Sequence, residues 1–174
     1  MARRAIALVL ASVACASDGA PPAGWVERRS QGLVVSVPME WGEPRAGEVT
    51  PPPEILGWIL FRDGALQVTL WRADDVERLI DERFVRGNLQ PIERRTVASP
   101  RPAVELIVGG IRWSDVTRGG GIYEARHLFV QLAPGVVGDF AVTARPLVSG
   151  RESKVTDDQR RTQDLVVRFS RYRP

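Results

Sequence analysis

The 174-residue chain holds one cysteine, one histidine and one lysine. A single thiol cannot close an internal disulfide, so a disulfide scaffold is excluded. One His and one Cys also leave too few ligands for a zinc or iron–sulfur site of the His/Cys kind, and no cofactor is expected. No run of about twenty apolar residues occurs, so no transmembrane helix is expected. The G-x-S-x-G elbow of a serine hydrolase is missing, and Gly119-Gly120-Gly121 is not followed by Lys and Ser/Thr, which excludes a phosphate-cradling loop of that type. Charge of one sign is lacking too. The balance is 24 basic against 21 acidic residues, a net +3. Arg3 and Arg4 lie in the first sixteen residues, so the remainder carries 22 against 21. Arginines and acids interleave along the whole chain, unlike the one-sided basic patch of a nucleic-acid binder, and no nucleic-acid partner is expected.

What is present starts at the N-terminus. Arg3-Arg4 precedes the uncharged, mostly apolar run from Ala5 to Ala14, and small residues follow. That is the pattern of an export signal occupying residues 1–16. Two processing routes fit the boundary. Ala14-Cys15-Ala16 is an A-x-A cleavage site that would release a chain starting at Ser17. Ser12-Val13-Ala14-Cys15 resembles a bacterial lipobox, with Ser12 in place of the usual Leu, and would make Cys15 an acylated N-terminus. Residues 17–24 are small and polar with Pro and Gly, as a flexible tether requires. The expected location is therefore outside the cytoplasm, on a membrane through a lipid anchor at Cys15 or free in the periplasm or medium.

The chain as a whole is 44% hydrophobic and 26% charged, an ordinary globular balance, and the remaining stretch, residues 25–174, is long enough for one domain with a substantial core. Leu33 to Val37 reads as a strand stopped by Pro38, and Ile55–Phe61 and Leu66–Trp71 as strands flanking the turn dipeptide Asp63-Gly64. Val76, Leu79, Ile80 and Phe84 recur at helical spacing, with Asp74-Asp75 ahead and Gly87 behind, predicting a helix over Asp74 to Arg86. Strand patterns return at Ile92–Ala98, Val104–Val108, Ile111–Arg118, Ile122–Leu132 and Phe140–Arg145, with Gly109-Gly110, Gly119-Gly120-Gly121 and Pro134-Gly135 as expected turns. Thr156 and Gln159 have capping-box spacing ahead of a final helix. Short connections between consecutive strands imply an α+β fold, an antiparallel sheet flanked by two main helices. The acidic pairs Asp74-Asp75 and Asp157-Asp158 fit helix N-termini rather than a calcium loop.

This order resembles the PsbP-like superfamily, which includes the oxygen-evolving-complex protein PsbP, a Ran-binding import factor and the bacterial DcrB-like proteins. The resemblance rests on Leu33-Val34-Val35-Ser36-Val37-Pro38 followed by Trp41, on the Asp74–Arg86 helix, on the long glycine-turned hairpin and on the closing helix ending Arg168-Phe169-Ser170. It implies an α/β/α-type domain that binds or stabilises other proteins and has no shared catalytic residues.

Two clusters are candidate sites. If Gly119–Gly121 is a simple three-residue turn, Trp113 faces His127 and Asp115 faces Ala125, and Trp113, Asp115, Tyr123 and His127 share a sheet face, with Asp115 orienting the imidazole. Trp41, Trp71 and Arg72 are candidates for a partner surface, where Trp and Arg are enriched. The expected function is a non-enzymatic domain that binds another envelope protein and helps assemble or stabilise it. A periplasmic small-ligand or lipid-binding protein is the alternative, and a hydrolase built around His127 and Asp115 comes third.

Overall fold

The computed structural model describes residues 19–47, 51–62, 65–82, 91–98, 101–115, 119–144 and 152–174, and the backbone alone at 91–92, 110–115, 119–123 and 152–153. The first strands, β1 (Trp25–Ser30) and β2 (Leu33–Pro38), form a hairpin with Ser30 opposite Leu33. The two intervening residues, Gln31 and Gly32, both have positive φ, 50° and 80°. This mirror-image turn matches the twist of the flanking strands. Gln31 is held in its left-handed conformation by its own side chain, whose Oε1 accepts a hydrogen bond from the Trp58 backbone N–H at 2.8 Å. At Gly32 a Cβ would lie 2.6 Å from the Tyr172 ring. A 3-10 turn, Met39–Trp41, follows Pro38.

The larger sheet takes in β3 (Arg45–Ala46), β4 (Ile55–Phe61), β5 (Leu66–Arg72), β6 (Pro91–Val97), β7 (Ala103–Asp115), β8 (Gly119–Ala133) and β9 (Val136–Thr143). Their spatial order is β3-β4-β5-β9-β8-β7-β6, antiparallel throughout, and the short β10 (Glu152–Ser153) lies parallel to β8. A C-terminal strand, β11 (Arg171–Tyr172), joins β2 in the three-stranded sheet β1-β2-β11. The helices are α1 (Val76–Ile80) and α2 (Asp157–Arg168). The chain is thus α+β with a mostly antiparallel sheet.

Period-two alternation sorts the side chains between two cores. On one face of the large sheet, Phe61, Leu66, Val68, Leu70, Leu128, Val130, Phe140 and Val142 meet Leu33, Val35 and Val37 of β2 and Val166 and Val167 of α2. The opposite face carries Val104, Leu106, Val108, Phe129 and Val137 under Leu79 and Ile80 of α1. β9 sits centrally and is buried on both faces, so it reads as a near-continuous apolar run instead of an alternating one.

The α2 start follows its capping box. Thr156 Oγ1 accepts from the Gln159 N–H at 3.2 Å, and Gln159 Oε1 accepts from the Thr156 N–H at 2.9 Å. Asp75 caps α1 by accepting from the Arg78 N–H at 3.0 Å. α1 is five residues long. The helical path continues as a π turn through Asp81 and Glu82; residues 83–86 of the helix expected to Arg86, its Gly87 stop and the Asp63-Gly64 turn lie outside the described residues.

Two glycine turns are not turns. Gly109-Gly110 lies inside β7, where the pairing passes from Val108↔Ala125 to Ile111↔Tyr123, three steps on β7 against two on β8. That is a β-bulge, and glycine tolerates the local kink. Gly119, Gly120 and Gly121 are paired strand residues opposite Asp115, Ser114 and Trp113. Ladder bonds need only backbone groups, so a glycine run can extend a strand as well as end it. Pro134-Gly135 does turn the chain, with Gly135 at φ 74°.

Replacing Thr156 by Ala is expected to lower the unfolding free energy by about 1 kcal/mol, because the Gln159 N–H loses its acceptor and the reciprocal cap is broken. Phe140→Ala, which empties a fully buried ring site, is expected to cost about 3–5 kcal/mol. Urea midpoints of the two variants against the parent chain check both the sizes and their order.

Candidate functional site

The large sheet's α1 face brings one histidine and one carboxylate together in an apolar setting. His127 lies on β8 between Leu106 of β7 and Ala141 of β9. Its ring stacks with Phe129, two residues along the same strand face, at 6.0 Å between centroids and 12° between planes. Asp139 of β9 stands opposite Phe129 on one side and Thr69 of β5 on the other. The Asp139 carboxylate receives His127 Nδ1 at 2.9 and 3.1 Å. Both side chains are largely buried, at 16% and 6% exposure.

The electrostatics of the pair follow from its surroundings. Burial is the largest single influence on His127 and opposes the imidazolium; the Asp139 charge and its hydrogen bond act the other way and together prevail, raising the imidazole above its ordinary 6.5. When the imidazole is neutral, Asp139 fixes the proton on Nδ1; when it is charged, the two form a buried ion pair. A His–Asp pair of this kind can orient a base, take up a proton, or hold two strands in register.

The partner expected for His127 was Asp115, and the register does not provide it. Asp115 pairs with Gly119, and Trp113 with Gly121 rather than with His127. Along β8 those positions are about 26 Å and 20 Å from His127, at roughly 3.3 Å per residue. The hairpin reverses before Gly119, not across Gly119–Gly121, and this displaces the register by several residues. Tyr123 pairs with Ile111 at the bulge. The side chains of Trp113, Asp115 and Tyr123 lie outside the described residues.

Asp139 escaped the sequence reading because it hides in Val136-Val137-Gly138-Asp139-Phe140-Ala141-Val142. A lone acid inside an apolar run is itself a signal, since a buried carboxylate needs a partner. The same signal marks Glu105, in Ala103-Val104-Glu105-Leu106-Ile107, and Arg126 on β8. These two meet on the α2 face, where Arg126 Nε donates to Glu105. Arg126 Nη1 also donates to Gln163 Oε1 at 2.9 Å and Asp164 Oδ1 at 2.8 Å. Burial pushes the Glu105 carboxyl up more than any other single influence, but the hydrogen bonds and charges of Arg95 and Arg126 outweigh it and hold the group below its ordinary 4.5.

Trp41, Trp71 and Arg72 do not form one surface. Trp41 packs against the α2-side core, with its ring 6.4 Å from Phe61, while Trp71 packs against the α1-side core. Arg72, next to Trp71 on β5 but pointing the other way, is exposed and lines a cleft with Glu54, Asp74 and Asp75. Trp41 borders a different cleft of about 350 Å³, together with Arg62, Asp158 and Gln159. Cys15 lies outside the described residues. Among the described residues, no group of three or more His, Cys, Asp and Glu side chains is placed to hold a metal ion, and no helix is long and apolar enough to cross a membrane.

No family model matches the chain, and no curated protein matches it.

The His127 imidazole is expected to titrate above 6.5 by NMR. Asp139→Asn, which keeps the burial and removes the charge, is expected to bring it below 6.5. The linkage has a definite sign: a raised histidine adds stability in full below its unfolded value near 6.5 and loses it as pH rises through the folded value. The stability difference between the parent chain and His127→Gln should therefore shrink as pH is raised from 5.5 to 8.5. A difference that grows over that range contradicts this pairing.

Proposed function

We propose that the chain is an exported domain, held at the envelope through Cys15 or free after cleavage at Ser17, that binds another envelope protein and helps assemble or stabilise it without catalysis of its own. The observation that carries this reading is a docking feature beside Trp41. Met39, at 61% exposure, is the one large hydrophobic side chain exposed among the described residues. It sits in the same 3-10 turn as Trp41, which opens on the cleft bordered by Arg62 and Asp158. An exposed thioether next to a half-buried indole with a charged rim is the composition of a protein contact centre. Elsewhere on the described surface arginines pair with acids, as in Arg28–Glu43 and Arg78–Glu82.

The PsbP-like arrangement belongs to the same proposal. Its supports are the strand ending at Pro38 ahead of Trp41, the capped closing helix, and helices on opposite faces of the large sheet.

A photo-crosslinking residue at position 39, expressed in native envelopes, is expected to give one discrete adduct. The same residue at Arg161, exposed on α2, is expected to give none. Trp41→Ala should remove the adduct while the fold, followed by circular dichroism, persists. No adduct at 39, or equal adducts at both positions, would overturn the reading.

A further inference from the structure

A third cleft, of about 370 Å³, is walled by Gly19-Ala20-Pro21 on one side and by the end of α2 and the start of β11 on the other. Three arginines line it: Arg101, Arg168 and Arg171. The one acid in its lining is Glu27, already shared between two guanidiniums, those of Arg29 and Arg171. Those two cations hold the Glu27 carboxyl below its usual range, Arg29 foremost, so it stays ionised and committed to them. Arg101 and Arg168 have no carboxylate partner among the described residues, and Arg168 lies 5.6 Å over the Phe169 ring. The buried Nε–H of Arg171 also has no acceptor among the described residues. Many arginines elsewhere are matched to acids and others, such as Arg72 and Arg161, stand exposed on their own strand or helix; this cleft gathers two guanidiniums without a carboxylate partner beside a third, Arg171. Guanidiniums gathered in a concave site with one committed acid suit an anionic oxygen ligand.

We propose that this cleft binds a phosphate group, and that the phosphate is a membrane headgroup. Guanidinium forks match phosphate oxygens in geometry and charge. The cleft wall begins at Gly19, four residues from Cys15, so a chain anchored there would carry the three arginines within reach of the lipid surface. Arginines near an anionic surface each add attraction and fix the orientation of what they are attached to. This goes beyond the partner reading and uses different residues; loss of the Met39 adduct leaves it standing, and its own failure leaves the adduct untouched.

The test uses the unacylated exported form starting at Ser17, which contains every described element and has no lipid to mask the effect. Cosedimentation with phosphatidylglycerol vesicles and with phosphatidylcholine vesicles is compared, alongside NMR titration with inorganic phosphate. Binding to the anionic vesicles alone is expected, falling roughly thirtyfold in Arg101→Gln/Arg168→Gln. Arg161→Gln, one charge removed away from the cleft, is expected to change binding several-fold less, and far-ultraviolet circular dichroism verifies that each variant folds. Shifts at Arg168–Arg171 with inorganic phosphate, without a preference for anionic vesicles, would keep the site and overturn the headgroup as its source. Absence of both, or an equal loss in Arg161→Gln, would overturn the site itself.

Discussion

The fold depends on one arginine that cannot reach bulk water. Arg126 projects from the middle of β8 under α2, with a side chain only 6% exposed. An ion taken that far from water survives only if its hydrogen bonds are supplied by the protein. Here Glu105, also buried, comes from the neighbouring strand, and Gln163, Asp164 and the Arg160 carbonyl come from one stretch of α2. Gln163 completes the link by donating to the Arg126 carbonyl at 3.1 Å and to the Phe140 carbonyl at 2.6 Å. A helix that could slide on apolar contacts alone is thereby fixed at one position on the sheet. Val166 and Val167 then enter the core beside Phe140, and the chain leaving α2 runs into β11 alongside β2. Arg160, which pairs with Glu124 at 3.1 Å, extends the same charged layer toward the solvent.

The opposite face repeats the device on a smaller scale. His127 and Asp139 tie β8 to β9 within a layer of Leu106, Phe129 and Val137, and α1 closes over that layer with two side chains. The exposed side of α1 is fixed to the sheet edge by Arg94, which reaches Glu77 and Asp81. Pairs of this last kind, open to solvent, contribute little each; their effect is to set which way α1 faces. Charge on this protein is thus spent mainly on holding its elements together. Against that background Arg101 and Arg168, which share one cleft and have no carboxylate partner among the described residues, and the exposed Met39 are left for contacts outside the fold.

Much of this was legible in sequence where the signal is local. Thr156 and Gln159 announced α2 because a capping box needs only four consecutive residues, and Leu66, Val68 and Leu70 announced β5 by alternation. Gln31-Gly32 carried the same kind of information as a turn with two positive φ values, and was missed because Gln is an uncommon residue there. What sequence could not deliver was register. Gly109-Gly110 and Gly119–Gly121 look alike as text, yet one is a bulge and the other a paired strand end, and that choice moves Asp115 away from His127 along the hairpin. The true partner, Asp139, is brought in from a strand twelve positions later by the Pro134-Gly135 turn. Trp41 and Trp71 show the same limit, since only the three-dimensional stacking of sheet, α2 and α1 sends them to different cores.

The most direct test of this account is equilibrium unfolding of Arg126→Met with and without Glu105→Leu. Removing the arginine alone leaves the buried Glu105 with the half-exposed Arg95 as its remaining hydrogen-bonded cation and takes the donor from Gln163 Oε1 and Asp164; a loss of about 3 kcal/mol is expected, and removing both charges should recover part of it. A single variant that loses less than about 1 kcal/mol, or a double variant no more stable than the single one, would contradict the claim that this buried pair holds α2 to the sheet.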